Sequence, residues 1–247
     1  MTVTGSIVWH SAARSHVGNV RKLNEDAYLE RPDMGIWAVA DGMGGHQSGD
    51  VASRLIVDSL DQIHVAPDDD AMERAACTVL SSVNQRLRAM ARARGNDTII
   101  GSTVALLLGS ERASVCLWVG DSRVYLLRDG RLRRLTRDHS QVEELIERGV
   151  ISREEAETHP AANVITRAVG AADGVMIDRR EEPVMPGDIF LLCSDGLTKA
   201  VPEAEIAQVL AGGNCADSVQ ALLHLGLVRG AKDNLSAVVV HADWARE

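Results

Sequence analysis

The 247-residue sequence predicts an α+β fold of antiparallel sheets with separately grouped helices. Strand-like runs follow one another in hairpin order, and Asp129-Gly130 between two of them is a strong two-residue hairpin signal. Helical patterns occur in groups between blocks of strands, whereas parallel βαβ units would alternate them with single strands. With 45% hydrophobic residues and no low-complexity stretch, residues 1–247 are expected to form one domain.

The first half of the chain predicts three strands and then two helices. The turn Arg31-Pro32-Asp33 separates the second strand from the third. After a glycine-rich segment, apolar residues recur at helical spacing in two successive stretches. The strands are expected at 4–9, 25–30 and 36–40, and the helices at 48–63 and about 70–93.

The second half predicts a second block of strands, read as an antiparallel meander, followed by a polar stretch that ends near Gly174. The meander strands are expected at 102–108, 113–119, 123–127 and 131–135. Two short helices are expected at 141–148 and 152–157, and strands at 175–180 and 188–193. Two more helices, at 202–211 and 216–228, precede a last strand at 235–242.

Composition disfavours some partners and locations. The chain has 26 basic and 35 acidic residues, and this net charge of -9 disfavours a nucleic-acid or anionic-membrane surface. Its four cysteines lack C-x-x-C spacing and are expected to be buried, reduced thiols. No leader pattern or long apolar stretch is visible, so we expect a cytoplasmic protein without a membrane segment.

Three aspartates lie where apolar strands meet turns: Asp41, Asp195 and Asp233. Carboxylate oxygens suit Mg²⁺ or Mn²⁺, whereas zinc would favour His and Cys spacings that this sequence lacks. Clustered carboxylates repel one another unless a cation neutralises them. Taken singly, however, each aspartate is better explained as a solvated turn residue.

The glycine-rich segment also invites a nucleotide-binding interpretation, which fails. Gly44 and Gly49 have the spacing of a phosphate-binding loop, but the next residues are Asp and Val instead of Lys and Ser or Thr. Gln47 occupies the last glycine position of the dinucleotide fingerprint. The glycines are better explained as allowing a tight turn that points a carbonyl at a cation beside Asp41.

Other candidate groups are Arg21, Glu25 and Asp26, at the mouth of an early strand. The planar guanidinium of arginine matches phosphate oxygens through two parallel hydrogen bonds. Asp121 lies between two predicted strands, where ordinary turn chemistry also explains it. Five arginines between positions 128 and 137 would attract an acidic phosphopeptide, although an exposed hairpin explains them equally well.

Taken in order, these motifs resemble the PPM family, the metal-dependent type-2C protein serine/threonine phosphatases. The resemblance extends from about Arg21 to Val240. The matching segments are 21–26, 41–46, 101–103, 119–123, 135–140, 163–170, 194–197 and 233–234. The resemblance implies a four-layer α-β-β-α sandwich, in which two antiparallel sheets pack face to face with helices outside.

The resemblance also implies a metal centre with two Mn²⁺ or Mg²⁺ ions. Asp41 would bridge the ions, the Gly42 carbonyl would serve the second, and Asp195 and Asp233 would complete the first. Asp121, with Asp195, resembles the ligand of a third ion in bacterial members. A bridging water made acidic by both ions would supply hydroxide for in-line attack on phosphorus, without a phosphoenzyme.

Supporting roles follow from the same resemblance. Glu25 and Asp26 would hold metal-bound waters, and Arg21 would grip the phosphate. Met43 stands where animal-type members have histidine, as in the bacterial Asp-Gly-Met-Gly-Gly-His variant. His46 or a metal-bound water is therefore the candidate general acid, and a histidine that only bonds to the glycine turn is an equal alternative.

Residues 136–174 interrupt the strands with polar short helices, and the resemblance marks them as a substrate-binding flap. A solvated helical surface also explains their charges. The expected function is hydrolysis of phosphoserine and phosphothreonine on substrates of a cognate kinase, by a monomer. A phosphatase of small esters and a catalytically silent phosphoprotein-binding scaffold remain as alternatives, although intact Asp41, Asp195 and Asp233 disfavour the scaffold. Residues 118–121 resemble phosphatases that control bacterial type VI secretion.

Overall fold

The computed structural model describes residues 6–44, 48–64, 69–95 and 98–245. The strands are β1 (Ile7–His16), β2 (Asp26–Arg31), β3 (Ile36–Gly44), β4 (Ile100–Ser102), β5 (Val104–Gly109), β6 (Ala113–Val119), β7 (Arg123–Arg128), β8 (Arg131–Arg134), β9 (Asp178–Pro183), β10 (Ile189–Cys193) and β11 (Leu235–Trp244). The helices are α1 (Gly49–Asp61), α2 (Asp69–Arg94), α3 (Gln141–Glu147), α4 (Arg153–Glu157), α5 (Asp195–Ala200), α6 (Glu203–Gly212) and α7 (Cys215–Val228).

The strands form two antiparallel sheets, which confirms the predicted α+β class. Sheet A has the order β1-β11-β10-β7-β8, and sheet B has the order β2-β3-β5-β6-β9, with β4 paired to the end of β3. One apolar core packs α1 and α2 on sheet B, and a second packs α5, α6 and α7 on sheet A. A third core lies between the sheets, so the predicted four-layer sandwich is confirmed.

Side-chain alternation along the strands determines which face each residue occupies. In β3, Trp37 and Val39 enter the core between the sheets, whereas Ile36, Ala38 and Ala40 face the helices on sheet B. Because successive side chains point to opposite faces of a strand and both faces are covered here, β3 is apolar from Ile36 to Ala40.

Aromatic rings fill the centre of the core between the sheets. Trp9 packs on Trp37 with ring centroids 5.2 Å apart and on Phe190 at 6.1 Å. Trp37 and Phe190 are fully buried, and burial of a large apolar side chain contributes about 1.5–3 kcal/mol. These contacts join β1, β3 and β10 and hold the two sheets in register at the centre of the sandwich.

The predicted meander was wrong, because β6 and β7 belong to different sheets. β6 pairs with β5 and β9, whereas β7 pairs with β10 and β8. The chain crosses between the sheets at residues 120–122, where Gly120 has a φ of 109°. Only glycine adopts this backbone region readily, which allows an abrupt crossing. Asp121 lies in this crossing.

Other predicted boundaries differ from the structure. The first strand runs over Ile7–His16, not 4–9, and β9 runs over Asp178–Pro183, not 175–180. Both are edge strands in which half-buried and exposed positions alternate, so they lack a continuous apolar run. The short helix α5 was missed because only six residues separate Ser194 from Val201. No helix among the described residues combines the length and apolar character needed to cross a membrane.

Candidate metal centre

Most of the sequence-predicted site residues line one cavity of about 950 Å³. These residues are Arg21, Glu25, Asp41, Gly42, Asp121, Asp195 and Asp233. Asp26 lies beside the cavity, because its Cα is paired with that of Asp41 across β2 and β3. The candidate acid His46 lies outside the described residues. Residues that are distant in sequence therefore converge at one place in the fold.

Strand alternation explains why the cavity is polar. Asp41 follows Val39 by two residues and shares its face, which points into the space between the sheets. Ser236 precedes Val238 by two residues on β11 and shares the corresponding face of sheet A. The core between the sheets therefore continues, at this end of the sandwich, into carboxylates and hydroxyls.

Asp41 is fixed by its backbone. Its N–H donates to Thr103 Oγ1 at 3.1 Å, and its carbonyl accepts from the Thr103 N–H and the Ser102 hydroxyl, each at 2.9 Å. These three bonds hold the end of β3 against the β4–β5 junction without using the carboxylate of Asp41. Thr103 and Ser102 were part of a sequence motif, but no role was predicted for them.

Gly42 and Gly49 permit a close backbone contact beside Asp41. The Gly42 N–H donates to the Glu25 carbonyl at 3.0 Å, and the Gly49 N–H donates to Glu25 Oε1 at 3.2 Å. A Cβ added to Gly42 would lie 2.0 Å from the Gly49 carbonyl oxygen. Since that distance is a severe clash, a side chain at position 42 would not fit. Gly42 and Gly44 lie within β3 and pair with β4, so the predicted tight turn at these glycines is wrong.

Asp26 has one satisfied and one unsatisfied carboxylate oxygen. The hydroxyls of Ser194 and Ser236 both donate to Asp26 Oδ2 at 2.7 Å. Asp26 Oδ1 is buried without a hydrogen-bond partner. Burial, with Asp195 and Asp233 nearby, raises the pKa of Asp26 to about 7.

Asp195 is the first residue of α5, directly after β10. A Cβ added to Gly196 would lie 2.0 Å from the Asn234 carbonyl oxygen, so α5 packs directly on the turn that carries Asp233. Lys199, one helical turn further, donates to Asp195 Oδ2. Asp195 Oδ1 is buried without a partner.

Lys199 was not predicted from the sequence. Its spacing of four residues from Asp195 is the usual spacing of a helical ion pair. The sequence analysis did not predict α5, so this spacing did not indicate a pair. Lys199 places an ammonium group among carboxylates, at a position lining the cavity.

Asp233 and Arg21 form an ion pair at the cavity wall. Arg21 Nη2 donates to Asp233 Oδ2 at 3.0 Å, and the Arg21 side chain is 54% exposed. Asn234 holds the segment around Arg21, because its amide donates to the carbonyls of Val17 and Leu23. Its Oδ1 also accepts from the Glu25 N–H at 2.8 Å.

Asp121 reaches the cavity from the crossing between the sheets. It is 9% exposed, and burial together with Asp195 raises its pKa to about 7. The neighbouring Ser122 hydroxyl lies 2.7 Å from Thr103 Oγ1, which links the crossing to the backbone of Asp41. Thr103 therefore contacts both the segment that carries Asp121, the predicted third-ion ligand, and the backbone of Asp41, the predicted bridging ligand.

The electrostatics of the cavity fit divalent cations. Burial raises the pKa of Asp41 well above its ordinary value, and Asp26, Asp195, Asp121 and Asp233 raise it further. No three His, Cys, Asp or Glu side chains in the described ranges are arranged to hold an ion by themselves. Asp195 and Asp233 instead point oxygens at the ammonium of Lys199 and the guanidinium of Arg21. An oxygen-rich cavity that already attracts two protein cations suits Mg²⁺ or Mn²⁺, which bind through carboxylates, carbonyls and water.

Only part of the predicted flap borders the cavity. Asn163 and Ile165 line it, and Ile165 forms an isolated bridge with Ser140. Arg123 anchors the start of this segment by donating to both oxygens of Asp138 at 2.7–3.2 Å. Cys193 is fully buried beside Asp195, and burial raises its pKa to about 12, so it does not supply a thiolate.

The sequence matches the model of the family described as protein phosphatase 2C over residues 13–238. The chain belongs to this family. Its serine/threonine phosphatase relatives include the protein Stp of Listeria monocytogenes, which is 34% identical over 96% of this chain and 98% of its own length. By that membership the chain is an enzyme of the serine/threonine phosphatase class.

Solved structures of family members share this fold. PppA of Pseudomonas aeruginosa, described as a key regulatory component of the T6SS, has a TM-score of 0.89 and 47% identity over 96% of this chain and 99% of its own. The catalytic domain of PstP, described in complex with 2 manganese ions, has a TM-score of 0.85 and 34% identity. That match covers 96% of this chain and 100% of the PstP chain. PstP of Mycobacterium tuberculosis is a serine/threonine protein phosphatase, of which this chain spans 45%.

Proposed function

We propose that this chain hydrolyses phosphoserine and phosphothreonine in proteins with two Mn²⁺ or Mg²⁺ ions in the carboxylate cavity. The observation that carries the proposal is the convergence of Asp41, Asp195 and Asp233 in a phosphatase-family fold. Asp41 would be shared between the ions, with the Gly42 carbonyl beside it. The manganese complex of PstP supports this choice of metal.

When bound, the ions would lower the pKa of a water between them and so supply the nucleophile at neutral pH. Glu25 and Asp26 would orient waters near Asp41, since Glu25 contacts Gly42 and Asp26 is paired with Asp41 across β2 and β3. Asp121 would hold a third ion with Asp195, and its burial next to Asp195 supports that pairing. No side-chain nucleophile is required.

Arg21 would bind the phosphate. Its guanidinium is half exposed at the cavity wall, and its bond to Asp233 uses one of its nitrogens. A planar guanidinium offers two parallel donors to phosphate oxygens and stabilises charge that develops in the transition state. Either His46 or a water would protonate the leaving seryl or threonyl oxygen.

The flap of residues 136–174 would bind the protein part of the substrate, because it contributes Asn163 and Ile165 to the cavity. Residues 1–247 would act as a single cytoplasmic catalytic domain and as a monomer. Its substrates would be phosphoproteins made by a cognate serine/threonine kinase. The likeness to PppA, at 47% identity, favours substrates that belong to type VI secretion.

The experiment that tests the proposal is hydrolysis of an aryl phosphate and of a phosphothreonine peptide, with and without Mn²⁺. We expect activity only with metal, and a loss of at least about 100-fold in Asp41→Asn because a ligand charge is removed. Asp33→Asn is the matched control, since Asp33 lies in an exposed turn. Activity in a verified metal-free sample would contradict the two-ion proposal. Metal binding without turnover of either substrate would favour the silent scaffold.

A further inference from the structure

A second cavity, of about 720 Å³, shares no lining residue with the carboxylate cavity. Its floor includes the apolar side chains of Trp118 and Leu135. Basic side chains dominate its walls: Arg134, Arg137, Arg153, Arg179 and Arg180, against the acids Glu143 and Asp178. We name this cavity the arginine groove. Acids outside the lining pair with three of these arginines: Glu147 with Arg137, Glu73 and Glu181 with Arg179, and Glu182 with Arg180.

The arginine groove lies between the free edges of the two sheets. β8 is the last strand of sheet A, and β9 is the last strand of sheet B. Arg133 of β8 and Glu182 of β9 pair across the edges at 3.2 Å. Within the described part of the chain, each of these edge strands has one backbone row without a strand partner, which an extended peptide is able to use.

The arginines on one side of the groove share a single buried carboxylate. Glu143 Oε1 lies 3.5 Å from Arg134, 3.5 Å from Arg153 and 3.9 Å from Arg137. These separations exceed the roughly 2.7–2.9 Å of a good charge-assisted hydrogen bond. Among the described residues, the side chains of Arg134 and Arg153 donate no hydrogen bond. Arg137 is already paired, because it donates to both carboxylate oxygens of Glu147. Glu143 therefore only partly satisfies the guanidinium donors of Arg134 and Arg153.

Arg134 gives the strongest indication of a missing acceptor. Its side chain is only 18% exposed, and its nearest carboxylates, on Asp138 and Glu143, are both 3.5 Å away. Covering a guanidinium without hydrogen-bonding it is costly, so an added anion would be favourable here. On the opposite wall, Arg180 is 41% exposed and already pairs with Glu182 at 2.7 Å.

The flap connects the groove to the carboxylate cavity. Asn163 and Ile165 of the flap line the carboxylate cavity, whereas Glu143 and Arg153 of the same segment line the groove. The flap therefore contributes residues to both cavities.

We propose that the arginine groove binds an acidic segment of the phosphoprotein substrate, carried on the same polypeptide as the phosphorylated serine or threonine. The inference rests on the proposed phosphatase function and adds a substrate preference. Arginine forks bind carboxylates and phosphates alike, so Asp or Glu residues or a second phosphoserine would serve. The exposed strand edges favour an extended segment.

The test compares phosphothreonine peptides that carry a run of Asp and Glu with peptides that carry Asn and Gln instead. Spacers of roughly three to eight residues separate the phosphothreonine from the acidic run. Each spacer residue adds about 3.3–3.6 Å to the distance that an extended peptide spans. We expect KM to be lower for the acidic peptide by roughly five- to tenfold at one spacer length, and salt to weaken the difference. A third arm with a second phosphoserine distinguishes phosphate from carboxylate as the preferred anion.

Arg134→Gln and Arg180→Glu should abolish the difference in KM between acidic and neutral peptides. Neither residue lines the carboxylate cavity, so the rate on a small aryl phosphate should stay unchanged. Arg86→Glu on the exposed face of α2 is the control for altered charge. Thermal unfolding of each variant checks folding, and Arg180→Glu remains informative if Arg134→Gln proves unstable.

Binding without turnover gives a second measurement. Fluorescence anisotropy of the acidic peptide, lacking phosphothreonine, with the Asp41→Asn protein should show binding that Arg180→Glu removes. Equal KM for acidic and neutral peptides at every spacer would overturn the inference while leaving the phosphatase function intact. Tighter binding of a polyuridine oligonucleotide than of the acidic peptide would also overturn it. Absence of hydrolysis of every substrate would instead contradict the proposed function.

Discussion

Among the described residues, Arg21 and Lys199 are cations that contact carboxylates of the cavity, but we expect opposite consequences from their removal. Arg21 is half exposed and pairs with Asp233 at 3.0 Å, so it is able to turn toward a ligand. Lys199 pairs with Asp195 one helical turn away and is held by α5. Under the proposed function, Arg21 would bind substrate and Lys199 would compete with metal.

We expect Arg21→Ala to raise KM for an aryl phosphate by roughly tenfold or more, because a charge-assisted bidentate contact is lost. Arg21→Lys should restore activity only in part, since an ammonium cannot reproduce the guanidinium fork. Steady-state kinetics measure both effects. Lys22→Ala, in the exposed neighbouring position, is the matched control. Unchanged kinetics in Arg21→Ala would show that the arginine serves only to hold Asp233.

We expect Lys199→Met to bind Mn²⁺ more tightly than the wild-type protein, by roughly three- to tenfold. The substitution removes a positive charge and frees Asp195 Oδ2 to act as a ligand. Titration calorimetry measures the affinity directly, without reference to activity. Arg86→Met, a loss of the same charge on the exposed face of α2, is the control. Weaker Mn²⁺ binding in Lys199→Met would show that the lysine supports the metal site.

At the scale of single elements, local signals identified most strands and helices but not their partners. Asp129-Gly130 formed the predicted hairpin turn, with φ of 51° and 71°. The run from 102 to 135 looked like a meander because its short strands follow one another closely, and sequence alone does not show when a chain changes sheets. Gly120 was the available signal, since its positive φ permits the crossing.

Helix α5 shows how a short element positions two site residues. It places Asp195 and Lys199 one turn apart, and its packing depends on Gly196 lying against the Asn234 carbonyl. The sequence indicated the Asp-Gly pair, but not the contact that requires glycine.

We expect Gly196→Ala to lower the free energy of unfolding by roughly 1–3 kcal/mol, because the new methyl group forces α5 away from the turn. Mn²⁺ affinity should fall as well, since the same displacement separates Asp195 from Asp233. Urea unfolding and calorimetry measure the two effects. Gly212→Ala is the matched control, because a Cβ there meets nothing within 4 Å. Equal stability of Gly196→Ala and the wild type would mean that the turn relaxes freely.

At the scale of the whole molecule, two sheets bring Asp26 and Asp41 from one side together with Asp195 and Asp233 from the other. Their positions at strand ends were visible in the sequence. Their convergence was not, because it depends on how the sheets stack, and only the family resemblance indicated it. The arginine groove was equally hidden, since its arginines come from two edge strands and the flap.

The clustered carboxylates make the stability of the metal-free protein depend on pH. Burial raises the pKa values of Asp26 and Asp121 to about 7. A group whose folded pKa is raised stabilises the protein fully below its unfolded pKa, near 4, and that contribution is lost as pH rises through the folded pKa. His139 acts in the opposite direction at lower pH, because burial lowers its pKa and its contribution is lost as pH falls.

We therefore expect the free energy of unfolding of the metal-free protein to fall between about pH 6 and about pH 8, a range above the titration of His139. Saturating Mn²⁺ should reduce or reverse the fall, since the ion binds the ionised carboxylates and neutralises their repulsion. Urea unfolding at each pH, with and without metal, measures the effect. Asp121→Asn should flatten the metal-free profile, because it removes a carboxyl group whose pKa burial raises to about 7, whereas the exposed Asp33→Asn should not. A metal-free protein whose stability rises over this range would show that the cavity does not hold mutually repelling carboxylates.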